Sequence, residues 1–211
     1  MCADAMIDLR KDRPVNFKTL PAGYRIAGIM DFTRNRRQML VVSVSALAAA
    51  VIMIVCGLLV HPIVPAFRVM VDRWYLWPAL AAMLAAYVPL HELTHGAFMY
   101  ALSGVRPVYG LKLPYAYAGS SAFFDRKSHI VTALAPVVIW GIILQGLCAA
   151  LPEYWFWPIW AVQISNVSGS TGDIYCVLHL ARLPGEILIR DTGTRMTIYK
   201  KRKPSPEELK P

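Results

Sequence analysis

The sequence predicts an all-α integral membrane protein of about four transmembrane helices, with a short β-like loop on the cytosolic side. Three observations carry that prediction. Of the 211 residues, 56% are hydrophobic, against roughly 45–50% in soluble domains. Residues 40–60 run for 21 positions without a charge, and ~20 apolar residues cross a bilayer core. The Lys and Arg residues also alternate between rich and poor segments when the chain is divided at its apolar stretches.

Those stretches are 40–60, 76–103, 128–151 and 155–181. The five segments around them hold 8, 2, 4, 0 and 8 of the 22 Lys and Arg residues. Cytosolic loops are enriched in Lys and Arg, so both termini and the 104–127 loop are expected in the cytoplasm. The division is a basic cytosolic segment at 1–39, a four-helix transmembrane domain at 40–181, and a basic cytosolic tail at 182–211. A net charge of +9 would suggest nucleic acid in a soluble protein. Here the positive-inside pattern accounts for it, so the expected partner of the basic ends is the lipid bilayer, with no nucleic acid.

Each element has its own signal. Arg34-Asn35-Arg36-Arg37 anchors the start of the first span. That span begins too far into the chain, and runs too long, for a cleaved signal peptide. Trp74, Tyr75 and Trp77, with Tyr154, Trp155, Trp157 and Trp160, mark one level at the outer interface, where Trp and Tyr favour the headgroups. The aromatic, partly alternating run 108–119 suits one or two short strands. Asp191-Thr192-Gly193-Thr194 reads as a turn, and Lys200-Lys201-Arg202-Lys203-Pro204 as a solvated tail. The four cysteines show no CxxC pairing, which points to neither a disulfide framework nor a Cys-ligated metal.

The chemistry lies in the second span, at His91-Glu92-Leu93-Thr94-His95. HExxH on a helix sets two imidazoles one turn apart on one face, where they grip a single zinc ion, Zn2+. The intervening Glu stays off the metal and serves as general base. Ionisable groups within a bilayer are costly and mark functional sites. Apart from His129 at an edge, the spans hold only five: His91, Glu92, His95, Asp173 and His179. Catalytic zinc takes three protein ligands and keeps one open position. Asp173 is the preferred third ligand and His179 the reserve. From Trp77 to His91 is 14 residues and from Trp157 to Asp173 is 16, or ~21 and ~24 Å of helix. The two spans run in the same direction, so both groups reach the same depth.

His91-Glu92-Leu93-Thr94-His95-Gly96, Lys112 to Gly119, Ala133-Leu134-Ala135-Pro136 and Asn166 to Asp173 together resemble a bacterial membrane family of zincin peptidases of unassigned function. The resemblance covers roughly residues 80–200. More distantly, the layout is similar to site-2 proteases, which pair HExxH with an Asn and an Asp on a later helix. That similarity implies His91, His95 and Asp173 as zinc ligands, Glu92 as catalytic base and Asn166 as a catalytic stabiliser of the oxyanion. The Asp-Gly order of those proteases is absent here, since Ile174 follows Asp173. The expected protein is a multi-pass zinc metalloprotease of the bacterial cytoplasmic membrane. It would cut a peptide bond in or near a membrane-spanning protein or peptide substrate. The alternative is a non-catalytic metal-binding adaptor or sensor that retains HExxH.

Overall fold

A computed structural model describes residues 17–31, 35–112 and 115–201. Strand β1 (Tyr24–Met30) leads to helix α1 (Arg36–Val60), whose first turn is capped by the Asn35 side chain accepting from the Gln38 backbone N–H at 3.2 Å. A ten-residue helix α2 (Ile63–Asp72) follows. It lies in the segment expected only to connect two spans, and its Ile63, Val64, Phe67 and Val71 form an exposed apolar stripe at helical spacing. Helix α3 (Leu76–Ser103) ends on Gly104 in the left-handed conformation at φ 67°, where glycine carries no Cβ penalty.

The 108–119 segment forms an antiparallel hairpin of β2 (Val108–Lys112) and β3 (Tyr115–Gly119), as its alternation suggests. The short strand β4 (Phe124–Asp125) then feeds helix α4 (Arg126–Ala150). Among the described residues, α1, α3 and α4 are the helices long and apolar enough to cross a membrane.

The fourth expected span, 155–181, departs from that pattern. After a 3-10 turn at Glu153–Trp155, it comprises two helices, α5 (Phe156–Gly169) and α6 (Thr171–Ala181), which meet at Ser170. The Ser168-Gly169-Ser170-Thr171-Gly172 run lowers helix propensity where the break falls. Three long spans and a broken pair therefore replace four continuous ones.

The chain is also mostly helical rather than all-α. Strands β5 (Ile187–Asp191) and β6 (Met196–Lys201) join β1 and β4 in an antiparallel sheet of order β1-β6-β5-β4. Segment 182–211 is thus folded through Lys201, while Arg202-Lys203-Pro204 lie outside the described residues. In β6, Met196 and Ile198 are buried while Thr197 and Tyr199 alternate with them. That period of two is brief, and the lysines around it set the composition of the segment.

Apolar contacts fix how the parts meet. The sheet packs beneath α6 through Met30, Cys176, Leu180, Ile189 and Ile198. Tyr87, Leu144, Ile159 and Val162 form the core joining α3, α4 and α5. Helix α1 lies against α5, where the Trp160 indole N–H donates to the Met53 carbonyl at 2.9 Å. The two aromatic clusters expected at one level do meet. Tyr75 and Trp155 have ring centroids 6.5 Å apart, and the Arg73 guanidinium lies 4.3 Å from the Tyr154 ring centroid.

Candidate metal centre

Spacing on α3 places Tyr87, His91 and His95 on one face, four residues apart in turn. The His91 and His95 Nε2 atoms are 3.2 Å apart, and the Asp173 Oδ2 lies 3.5 Å from each. Two ligand bonds of about 2.0–2.1 Å at a tetrahedral angle hold their donor atoms about 3.3 Å apart. The three separations match that requirement. His91, His95 and Asp173 are the one such metal-capable cluster among the described residues.

Hydrogen bonds behind the cluster settle which ring nitrogens carry protons. The His95 Nδ1 lies 2.9 Å from the Thr132 carbonyl, which only accepts, so Nδ1–H donates and Nε2 keeps its lone pair. His91 reaches the same state through a longer chain. The Asn166 amide nitrogen donates to the Val137 carbonyl at 3.1 Å and to the Gln163 Oε1 at 3.3 Å. Its oxygen therefore accepts from the Tyr87 hydroxyl, at 2.7 Å. With its only proton committed, the Tyr87 oxygen accepts from His91 Nδ1–H at 2.9 Å. With both rings neutral, the two Nε2 lone pairs and a carboxylate converge on one point. Such a convergence of acceptors calls for a cation, and two imidazoles with one carboxylate suit zinc.

The break at Ser170 explains how a carboxylate reaches this depth. Asp173 sits in the first turn of α6, where unpaired backbone N–H groups and the helix dipole favour negative charge. A continuous helix would offer no such positive end here. The Glu92 carboxylate accepts from the Ala118 backbone N–H of β3, so the hairpin lies directly over the motif. Gly96 lets it do so, because a Cβ there would collide with the Tyr109 hydroxyl. A cavity of ≈ 500 Å³ opens beside the cluster, bordered by α1 at Val42 and Ala46, by β3, and by the sheet at Met30 and Met196.

His91, Glu92, His95 and Asp173 are therefore brought together as the sequence suggests. His179 is not among the residues bordering the cavity and stands ~9 Å further along α6. Asn166 is fully buried. It stands behind His91, with both its amide protons engaged, instead of facing the cavity. Several contributors escaped the sequence reading. Tyr87 was detectable, since it precedes His91 by the same four-residue step that separates the two histidines. Thr132 acts through its backbone, which leaves no signature. His129, at the start of α4, and Asp191, at the end of β5, both border the cavity and approach to 3.9 Å. Burial pushes the Asp191 carboxyl above its ordinary pKa, while the His129 ring and the Gly193 backbone N–H act the other way.

A search of curated proteins and a search of solved structures each found no match. Residues 84–188 match a family model described as "Putative zincin peptidase". That stretch runs from one turn before Tyr87 to the second residue of β5, and so takes in the whole cluster with Glu92 and the hairpin. The segment that builds the metal centre belongs to this zincin peptidase family.

Proposed function

We propose that the chain is a membrane-embedded zinc metallopeptidase that hydrolyses a peptide bond in or near a membrane-spanning substrate. The observation that carries this reading is the convergence of the His91, His95 and Asp173 ligand atoms beside Glu92, with the HExxH motif on a helix apolar enough to cross a bilayer. His91, His95 and Asp173 hold the zinc. Zinc in this position supplies Lewis acidity and brings the pKa of a bound water to about 7.

The chain's own groups do the rest. Glu92 takes a proton from the attacking water as its oxygen adds to the carbonyl carbon of the substrate. It then delivers that proton to the leaving nitrogen as the C–N bond breaks, which yields a carboxylate and an amine. Tyr87 and Asn166 hold the His91 ring in its ligating tautomer, a positioning role. Ala116, Tyr117 and Ala118 of β3 border the cavity. Among the described residues no strand pairs with the other side of β3, so an extended substrate adds there by β-augmentation.

Chain parity supports placing this site in a membrane. Strand β1 precedes the first helix and β6 follows the last, yet they are hydrogen-bonded neighbours, so they share one side of the bilayer. An even number of crossings fits that pairing, and on this reading α5 and α6 together form the fourth. The positive-inside pattern favours the cytoplasm as the shared side, and the resemblance favours a bacterium's cytoplasmic membrane.

The test begins with zinc per chain in detergent-purified protein. About one zinc is expected in wild type and in Glu92→Gln, and none in His95→Ala. New N-termini should appear in co-reconstituted membrane proteins with wild type and disappear with Glu92→Gln. Zinc retention with no Glu92-dependent cleavage would favour the non-catalytic adaptor or sensor, and no zinc in folded wild type would end both readings.

A further inference from the structure

Helix α2 joins the end of α1 to the start of α3, and its ten residues divide into two unlike faces. With 3.6 residues to a turn, Ile63, Phe67, Val71 and Val64 fall within one arc of ~100°. Each of the four is between 49% and 64% exposed. Pro65, Val69 and Asp72 lie on the other side of the helix and border a cleft of ≈ 810 Å³. That cleft is polar. The His61 Nδ1 lies 3.1 Å from the Glu153 Oε1 within it, and the Arg73 guanidinium sits over the Tyr154 ring.

Four large apolar side chains turned away from the protein call for an apolar partner, and the surroundings identify it. The arc continues onto the exposed apolar ends of both long helices, at Leu59 and Val60 of α1 and at Trp77 of α3. Phe67 and Trp77 meet edge to face with ring centroids 6.0 Å apart, so the arc and the start of α3 form one surface. Trp74 stands exposed between them, and Trp favours the headgroup level of a bilayer. Arg68 is exposed at the border of the arc, where a long cationic side chain reaches out of an apolar layer to its polar edge.

We propose that α2 is an in-plane membrane anchor whose partner is phospholipid. Its Ile63, Val64, Phe67 and Val71 side chains enter the boundary between headgroups and acyl chains, in the leaflet opposite the β-sheet, and Arg68 meets the lipid phosphates. The opposite face of the helix keeps the His61–Glu153 cleft in water. Because α1 and α3 both border the metal-centre cavity, seating α2 in the leaflet also fixes how far apart their outer ends stand. This placement rests on the membrane reading above and is independent of catalysis.

The experiment uses the full-length protein in vesicles of phosphatidylethanolamine and phosphatidylglycerol. A photoreactive p-benzoylphenylalanine replaces Phe67 in the arc, Val69 on the cleft side, or Leu47, an exposed residue in the middle of α1. After illumination, the mass of the intact chain is read. A gain of one phospholipid is expected at positions 67 and 47 and not at 69. A lipid adduct at 47 with none at 67, or equal adducts at 67 and 69, would overturn the proposal. So would cross-linked dimers at 67 in place of lipid, which would make the arc a contact between two copies of the chain. No lipid adduct at any of the three positions would end the membrane reading and this proposal with it. If the chain altered at Phe67 does not fold, the same substitution at Val71, also exposed on the arc, decides by the same outcomes.

Discussion

Helix α3 and the α5–α6 pair bring ligands to one point by opposite means. Helix α3 runs unbroken for 28 residues, and simple four-residue spacing aligns two imidazoles with the tyrosine that orients one of them. The pair is interrupted at Ser170 and contributes one carboxylate from the opening turn of its second half. Neutral imidazoles are accommodated on a regular helix, because their second nitrogen finds a carbonyl or hydroxyl among neighbouring helices. A carboxylate needs positive potential, and within an apolar layer a helix start is a ready source of it.

Removing a ligand from either half tests whether they are equal partners. Asp173→Ala and His95→Ala should each weaken zinc binding by well over ~100-fold, beyond the 10–100-fold loss typical of outer-shell changes. A much milder loss for Asp173→Ala, measured by competition with a chelating dye, would mean the broken half is dispensable. Tyr87→Phe keeps both halves and removes only the link between them. It should weaken zinc by ~10–100-fold, and Asn166→Ala should follow it in the same titration. Gly96→Ala acts on the regular half alone by driving Tyr109 off the helix. Overpacking of this kind costs about 1–3 kcal/mol, to be read as a lower thermal midpoint in detergent. The smallest effect is expected at the break. Ser170 is fully buried and its hydroxyl has no partner among the described residues, so Ser170→Ala should stay within about 1 kcal/mol of wild type. A larger loss would show that the hydroxyl, and not the backbone turn, holds the break open.

The same contrast explains what was legible beforehand. His91, Glu92 and His95 declare themselves because chemistry and helical period coincide in five residues. Asp173 stands out as one of the few ionisable residues in the apolar stretches, and depth counted from the aromatic level agrees with its meeting the histidines. The break itself was visible only as a Gly- and Ser-rich run. The β5–β6 hairpin escaped notice because only Met196 and Ile198 show the strand period, among lysines that dominate the composition. His129 and Asp191 are 62 positions apart, and only the sheet brings them together. No local pattern encodes a meeting of that kind.

The pairing of β1 with β6 also sets an order of events. Tyr24 lies opposite Lys201 in the register, so the sheet closes between the two ends of the described chain. Every described helix is synthesised before β6 arrives, and the loop to be closed runs from Tyr24 to Lys201. Met30, Asp191 and Met196, which border the cavity, take their places only at that closing step. A chain still emerging from the ribosome carries His91 and His95 but has no finished chamber around them. On the peptidase reading proposed above, the newly inserted helices of neighbouring proteins meet no working centre until β6 has been made.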